Sequence, residues 1–243
     1  MLGNILISPF GQVRFRHFFT ADILCSVVKP MLEIPVAICF FAWGHFLDNS
    51  EAKCGGWMTW VNYVIGMLPY YFRMMQCCHK FYRTRDAFPH LVNAAKYATS
   101  MVSILTGYFF SYNSDQWYIT FSVQMCATIY SSTWDYTMDW GLLRCWEWEH
   151  FGLRKVRKYP RSMYYIAALL NLILRFVWLL GLNSPTQLFD VWFGKFGGLF
   201  FLLSFLEAYR RAQWAIFRVE NENVNNYEKY RSFDIPKMKV IDR

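Results

Sequence analysis

Charged residues are scarce in this 243-residue sequence, at 17% of the chain. An ordinary globular domain carries about a quarter, so the deficit argues against an ordinary cytosolic enzyme. Disorder is excluded as well, because disordered chains are poor in aromatic residues and 21% of this sequence is Phe, Tyr or Trp. With 55% hydrophobic residues, the composition is that of a membrane protein.

The sequence also lacks the common signatures of enzymes. It contains no GxxxxGKS/T phosphate loop, no GxGxxG, no HExxH and no GxSxG, the motifs of nucleotide binding, zinc hydrolysis and a serine nucleophile. The seven cysteines form neither a disulfide framework nor a CxxC zinc pattern. We therefore predict no catalytic residue, no metal site, no cofactor and no enzymatic activity.

Long apolar runs are abundant, and six of them approach the roughly 20 residues that cross the hydrocarbon core of a bilayer. They cover residues 21–43, 57–77, 91–112, 117–134, 163–182 and 189–209. We predict an all-α fold, a polytopic transmembrane bundle of about six helices. The predicted transmembrane domain covers 21–218, between a cytoplasmic N-terminal segment (1–20) and a cytoplasmic C-terminal tail (219–243).

The distribution of basic residues predicts the orientation of this bundle. If both termini are cytoplasmic, 19 of the 20 Lys and Arg residues outside the spans fall on the cytoplasmic side, and Lys53 alone falls on the other. This is the positive-inside pattern of membrane proteins. It accounts for much of the net charge of +8, so a nucleic-acid partner is an unnecessary hypothesis.

Ionisable residues inside the spans are the informative ones, because a charge near the bilayer centre costs about 2.5–3.5 kcal/mol and marks a functional pathway by default. In the first span, Lys29 and Glu33 are four residues apart, a spacing that favours a structural ion pair. Together with Asp22 and Ser26 they predict one polar stripe on a helix bent by prolines at positions 30 and 35.

Lys96 and Arg175 have no carboxylate three or four residues away within their spans. Each therefore needs a partner from elsewhere, and the candidates are Asp22, Asp135, Asp139 or a bound anion. A structural salt bridge and a substrate contact both remain open for each cation. Asp135 and Asp139 lie one helical turn apart, which predicts salt links from Asp135 or Asp139 to one of these cations.

At the end of the sixth span, Glu207 precedes Arg210 and Arg211 by three and four residues, the spacing of intrahelical pairs. Because adjacent residues point about 100° apart, both arginines cannot pair with Glu207 equally well. The other arginine is then available to a pore or a lipid phosphate headgroup; the alternative is that both simply snorkel to the interface. Buried cations from several helices suit an anion, and phosphate, sulfate and carboxylates all remain possible.

Four sequence strings resemble one family in the same order: FPHLVNAAKY from residue 88, WDYTMDWGLL from 134, LRFVW from 174 and EAYRRAQWAIFRVENENVNN from 207. They are similar to the EXS domain, which is shared by a retrovirus receptor, by related plant and fungal proteins and by small Golgi relatives. The resemblance covers about residues 16–230. It implies a six-helix membrane domain that exports inorganic phosphate.

By that resemblance, a set of positions here matches the phosphate pathway of the family. The implied phosphate ligands are Lys96 and Arg175, with Tyr97 beside them and with Asp22 and Asp139 to orient or neutralise them. The implied gate is Trp178, and the implied cytoplasmic entrance is formed by Glu207, Arg210 and Arg211. Passive movement of phosphate down its gradient is the expected mechanism.

This sequence departs from the family pattern at two positions. Cys25 and Val28 stand where the family has an amide and a hydroxyl residue that contact phosphate, which puts anion affinity and identity in doubt. A non-conducting membrane scaffold or a Golgi retention factor is therefore the alternative function. The expected location is the plasma membrane or the Golgi.

Full-length relatives also carry an SPX domain and four further helices ahead of the EXS helices. The sequence is a fragment, a short isoform or a minimal relative, and these alternatives stay open. The expected partners are inorganic phosphate, membrane lipids, and either a second copy of the chain or an SPX-containing protein in trans.

Overall fold

The computed structural model describes residues 15–42, 55–110, 115–143, 152–154, 156–181 and 198–225. Throughout these residues the regular structure is helical and no strand occurs, which confirms the all-α prediction. The helices are α1 (Phe15–Leu24), α2 (Val28–Ala42), α3 (Gly55–Thr84), α4 (Ala87–Phe109), α5 (Trp117–Trp134), α6 (Arg161–Arg175) and α7 (Gly198–Asn225). A π-helical turn (Asp135–Asp139) follows α5, and a 3-10 turn (Val177–Gly181) follows α6.

The first predicted span is broken into two helices. α1 ends at Leu24, residues 25–27 form a turn, and α2 begins at Val28. Pro30 has no N–H to bond to the carbonyl of Ser26, and its ring would clash with that carbonyl in a continuous helix. The expectation of one polar stripe along a single bent helix is therefore wrong: Asp22 belongs to α1 and Lys29 to α2. The side chain of Glu33, the expected partner of Lys29, lies outside the described residues.

Clustering of contacts divides the chain into two compact units, Met1–Ala127 and Thr128–Arg243. In the first unit α3 packs against α4, α2 and α1. Its apolar core centres on Cys77, Ala94 and Tyr97, with Cys25 packed against them. Although no disulfide framework is predicted, Cys39 is disulfide-bonded; the other described cysteines are free thiols.

In the second unit α7 packs against α6 and against the π-helical turn. The Phe217 ring of α7 is the centre of an aromatic cluster, 5.0 Å from the Trp140 ring and 5.2 Å from the Tyr164 ring between centroids. α7 continues to Asn225, into the predicted tail that begins at residue 219.

Charged side chains lie inside the two units, whereas large apolar side chains lie outside. Buried cations include Arg73, Lys96, Arg210 and Arg218, and exposed apolar residues occur on every helix from α2 to α7. Within the described residues, one stretch, Arg161–Leu180, is long and apolar enough to cross a membrane by length and composition. The predicted six-span bundle is not established by this finding.

Candidate functional site

A buried network in the first unit is built around Arg73 of α3. Its Nε donates to Asp22 Oδ1 at 2.7 Å, and the Tyr97 hydroxyl donates to the same carboxylate oxygen at 2.6 Å. Arg73 also donates to Gln76 Oε1 at 2.6 Å, and its guanidinium carbon lies 3.5 Å from the centre of the Phe18 ring. The side chain of Arg73 is completely buried, so α1, α3 and α4 are joined through one enclosed charge pair.

Arg73 was not among the predicted site residues, although it is a cation within the second apolar run. Its partner Asp22 lies 51 residues away in the chain, so helical spacing carries no signal for the pair. The structure brings the predicted residues Asp22 and Tyr97 together and adds Arg73 between them. Asp22 therefore pairs with Arg73, a cation that the sequence did not suggest for it.

Lys96 lies beside this network on α4. The side chain is buried, and Nζ is 4.5 Å from the centre of the Tyr97 ring, the geometry of a cation–π contact.

The two departures from the family pattern, Cys25 and Val28, lie at the break between α1 and α2. The Tyr70 hydroxyl donates to the Cys25 carbonyl at 3.4 Å, and Val28 lies close to Gly66.

A second network, in the second unit, is built around Asp135 of the π-helical turn. Arg175, the last residue of α6, forms an ion pair with Asp135 Oδ2, and Arg210 of α7 lies 3.5 Å from the same oxygen. Arg210 binds Glu207 through two hydrogen bonds of 2.7 and 2.6 Å and donates to Asn171 Oδ1 at 3.2 Å. The intrahelical pair that the spacing predicted is thus formed by Arg210.

Arg175 retains an unused donor in this network. Among the described residues its Nε has no hydrogen-bond partner, although the atom is buried. The Arg175 side chain is 18% exposed, against 1% for Arg210. A guanidinium has five N–H donors in a planar fork that matches tetrahedral and planar oxyanions. Arg175 is therefore partly accessible and still able to donate to an anion.

Arginine side chains cluster around the two carboxylates of this network. Arg175 and Arg210 both approach Asp135, and Arg210 also pairs with Glu207. Arg211 adds its positive charge near Glu207 and lies over the Trp214 ring, 4.5 Å from guanidinium carbon to ring centre. A cluster of arginines favours an anion at this place.

Tyr136 fixes the π-helical turn to α6, because its hydroxyl donates to the Ala168 carbonyl at 2.9 Å. Burial raises the pKa of Tyr136, which keeps the phenol protonated and able to donate. π-helical turns inside α-helices are frequent at functional sites. Here the turn carries Asp135 and Asp139 at its two ends.

Asp139 contacts two residues of α7 that the sequence did not propose for it. It accepts a hydrogen bond from Trp214 Nε1 at 3.1 Å and lies 3.6 Å from Arg218 Nε. Trp178 lies in the 3-10 turn after α6.

A third set of buried polar residues joins the loop after the π-helical turn to α7. Arg154 pairs with Glu220 at 2.9 Å and donates to Asn221 Oδ1 at 3.1 Å. The Tyr164 hydroxyl also donates to Glu220, and Asn221 donates to the Asp139 carbonyl at 2.9 Å. We call Arg154, Tyr164, Glu220 and Asn221 the loop latch. Sequence reasoning missed it because Arg154, Glu220 and Asn221 lie outside the apolar runs and far apart in the chain.

The predicted phosphate ligands therefore fall into both units. Asp22, Lys96 and Tyr97 belong to the first unit, and Asp139 and Arg175 belong to the second, together with the predicted gate and entrance residues. Among the described residues, no group of three His, Cys, Asp or Glu side chains could hold a metal ion.

The chain is similar over 96% of its length to several known proteins. It is 33% identical to "Xenotropic and polytropic retrovirus receptor 1 homolog" of Danio rerio, covering 35% of that protein. It is 32% identical to "Phosphate transporter PHO1 homolog 1" of Arabidopsis thaliana, covering 30%, and 31% identical to "SPX and EXS domain-containing protein 1" of Dictyostelium discoideum, covering 26%. The chain thus spans between a quarter and just over a third of these relatives. The EXS family model matches residues 1–224, and the chain belongs to the EXS family.

Proposed function

We propose that this chain is an integral membrane protein that moves inorganic phosphate down its electrochemical gradient. The observation that carries the proposal is the partly accessible guanidinium of Arg175, which has a buried donor without a partner among the described residues and lies in a cluster of arginines. The substrate is suggested by the name of the Arabidopsis relative, a phosphate transporter.

The placement of side chains supports the proposed membrane bundle. A soluble protein keeps Lys, Arg, Asp and Glu at its surface, but the two units enclose Arg73, Lys96 and Arg210 and expose residues such as Phe109, Leu169 and Phe201. Lipid favours that arrangement, because intramembrane charges face the bundle interior. We propose that residues 21–218 form this domain with about six spans.

The basic residues and one cysteine support a proposed orientation of the chain in the membrane. We propose that residues 1–20 and 219–243 are cytoplasmic, on the side that holds most Lys and Arg residues. Cys39, close to the opposite end of the first span, is disulfide-bonded, and disulfides persist in oxidising compartments outside the cytosol. The plasma membrane and the Golgi both meet this condition.

Each unit is proposed to contribute its own group of residues to anion transport. In the second unit Arg175 is the primary ligand and Asp139 orients it. In the first unit Lys96 is the cation, and Asp22 and Tyr97 orient it. Trp178 is the proposed gate. Glu207, Arg210 and Arg211 are the proposed entrance, where the charge of Arg211 and the shared charge of Arg210 attract phosphate from the cytoplasm.

No coupled energy source is required for export. With an inside-negative potential, moving one negative charge out is favoured by about 2.3 kcal/mol per 100 mV. The remaining proposed partners are membrane lipids and either a second copy of the chain or an SPX-containing protein in trans. The name of the Dictyostelium relative, which joins SPX and EXS domains, supports the last of these.

The proposal is tested by phosphate flux into liposomes that contain the purified chain. Arg175→Ala removes the proposed ligand, and Arg161→Ala is the matched control, since Arg161 is an exposed residue at the other end of α6. We expect saturable flux from the wild type and from Arg161→Ala, and its loss in Arg175→Ala. Equal flux from all three proteins would show that Arg175 is not a ligand.

A membrane scaffold is the second candidate, and the completeness of the ion pairs favours it. Three buried arginines form ion pairs with carboxylates: Arg73 with Asp22, Arg154 with Glu220 and Arg218 with Glu222. Pairs of this kind can serve the fold alone. Cys25 and Val28 also supply no strong donor. Folded, monodisperse wild-type protein that gives no phosphate flux would support the scaffold.

A further inference from the structure

Asn93 presents a buried hydrogen-bond acceptor that the described part of the protein does not use. The residue is 4% exposed, and its Oδ1 is buried with no donor among the described residues. Buried polar atoms in folded proteins almost always have a hydrogen-bond partner, and leaving one unsatisfied destabilises the fold. Packing alone does not explain a buried amide at this position, because an apolar side chain would avoid this cost.

The position of Asn93 on α4 places this acceptor next to the proposed anion site. Lys96 and Tyr97 follow it by three and four residues, so at 100° per residue Asn93 lies on the helix face between them. Its Cα is about 4.5 Å from that of Lys96 along the helix axis, at about 1.5 Å per residue. The buried residues of α4 include all three, and this face is the one that packs toward Arg73 of α3.

An acceptor of α1 that reaches this face is already engaged, because Asp22 Oδ1 accepts from both Arg73 and Tyr97. Beside the Lys96 ammonium, which only donates, Asn93 Oδ1 therefore adds an acceptor. A site that pairs a cation with an acceptor fits an anion that carries both a negative oxygen and a hydroxyl group.

We propose that Asn93 is a specificity-determining residue, whose Oδ1 accepts a hydrogen bond from a phosphate hydroxyl and so selects phosphate over sulfate. Inorganic phosphate keeps at least one hydroxyl at neutral pH, whereas sulfate keeps none. Bound sulfate would leave Oδ1 unsatisfied and place an anionic oxygen against it. The proposal rests on the proposed function, because it assigns the anion specificity of the same site.

The test compares phosphate flux and its inhibition by sulfate in proteoliposomes. Asn93→Leu removes the acceptor with little change in size, and Asn93→Asp keeps an acceptor but removes the amide donor. Gln116→Leu is the matched control, because it deletes an amide from an exposed position of the same unit. The readout is the selectivity ratio, the sulfate concentration for half-inhibition divided by the phosphate concentration for half-maximal flux.

We expect the selectivity ratio to fall about tenfold in Asn93→Leu, the factor that corresponds to about 1.4 kcal/mol, and to rise severalfold in Asn93→Asp. Gln116→Leu should leave it at the wild-type value. If Asn93→Leu does not fold, the change of the selectivity ratio in Asn93→Asp tests the inference by itself: a rise supports it and a fall overturns it. Wild-type phosphate flux with an unchanged ratio in Asn93→Asp overturns this inference alone, and absence of wild-type flux overturns the proposed function and this inference with it.

Discussion

Breaking the Arg73–Asp22 pair should destabilise the protein far more than an equal change at its surface. Both side chains are buried, and Arg73 Nε lies 2.7 Å from Asp22 Oδ1. Removal of one partner from a buried pair leaves an uncompensated charge and costs about 3–5 kcal/mol. We therefore expect Arg73→Met and Asp22→Asn each to lower the free energy of unfolding by about 3 kcal/mol or more.

The double variant separates the charge pair from the surrounding contacts. Arg73→Met with Asp22→Asn removes both charges and leaves only the loss of hydrogen bonds such as those to Tyr97 and Gln76, at about 1 kcal/mol each. Its effect should be smaller than the sum of the single effects by about 2–3 kcal/mol, the upper range of coupling between contacting residues.

The assay is reversible unfolding in mixed detergent micelles, followed by circular dichroism. Arg83→Met is the control, because Arg83 is exposed near the end of the same helix, and its effect should stay within about 0.5 kcal/mol. Additive single effects, or an Arg73→Met effect no larger than that of Arg83→Met, would refute the reasoning that this pair is a buried structural unit.

The remaining predictions concern the loop latch. Gly141→Ala should lower the free energy of unfolding by about 1–3 kcal/mol, because Gly141 has φ +62° and an added Cβ would lie 3.0 Å from Asn221 Oδ1. Gly107→Ala is the control, because the atom nearest to its added Cβ is 3.9 Å away. Equal effects of the two substitutions would count against the loop latch. Glu220→Gln should cost about 3 kcal/mol, because it leaves Arg154 as a buried charge without its carboxylate; thermal unfolding measures the loss, and an unchanged melting temperature would contradict it.

Long apolar runs were sufficient to predict the helices. α5 has the predicted bounds, and α3 and α4 cover most of residues 57–77 and 91–112. The break after Leu24 was not predicted, because prolines at 30 and 35 were interpreted as bends within one helix. The end of α7 was also missed, since residues after 209 are largely polar. Their helix is stabilised by buried charge pairs together with the buried Trp214 and Phe217 rings.

The residue types of the candidate site were predictable, but their pairing was not. Glu207 and Arg210 are three residues apart, and local geometry alone gives that pair. Arg175 and Asp135 are 40 residues apart, and Arg154 and Asn221 are 67 apart, so only tertiary packing decides which carboxylate or amide each cation meets. For the same reason Arg73, a cation within the second apolar run, was not assigned to the site.

The most direct test of the central claim is the steady-state distribution of phosphate in proteoliposomes under an imposed membrane potential. For passive movement of a monovalent anion, about 2.3 kcal/mol at 100 mV corresponds to a roughly fifty-fold concentration ratio. We predict that wild-type protein carries phosphate toward the positive side until a ratio set by the potential is reached, and that Arg175→Ala does not. A wild-type distribution that ignores the potential, or one that Arg175→Ala reproduces at the same rate, would contradict the account.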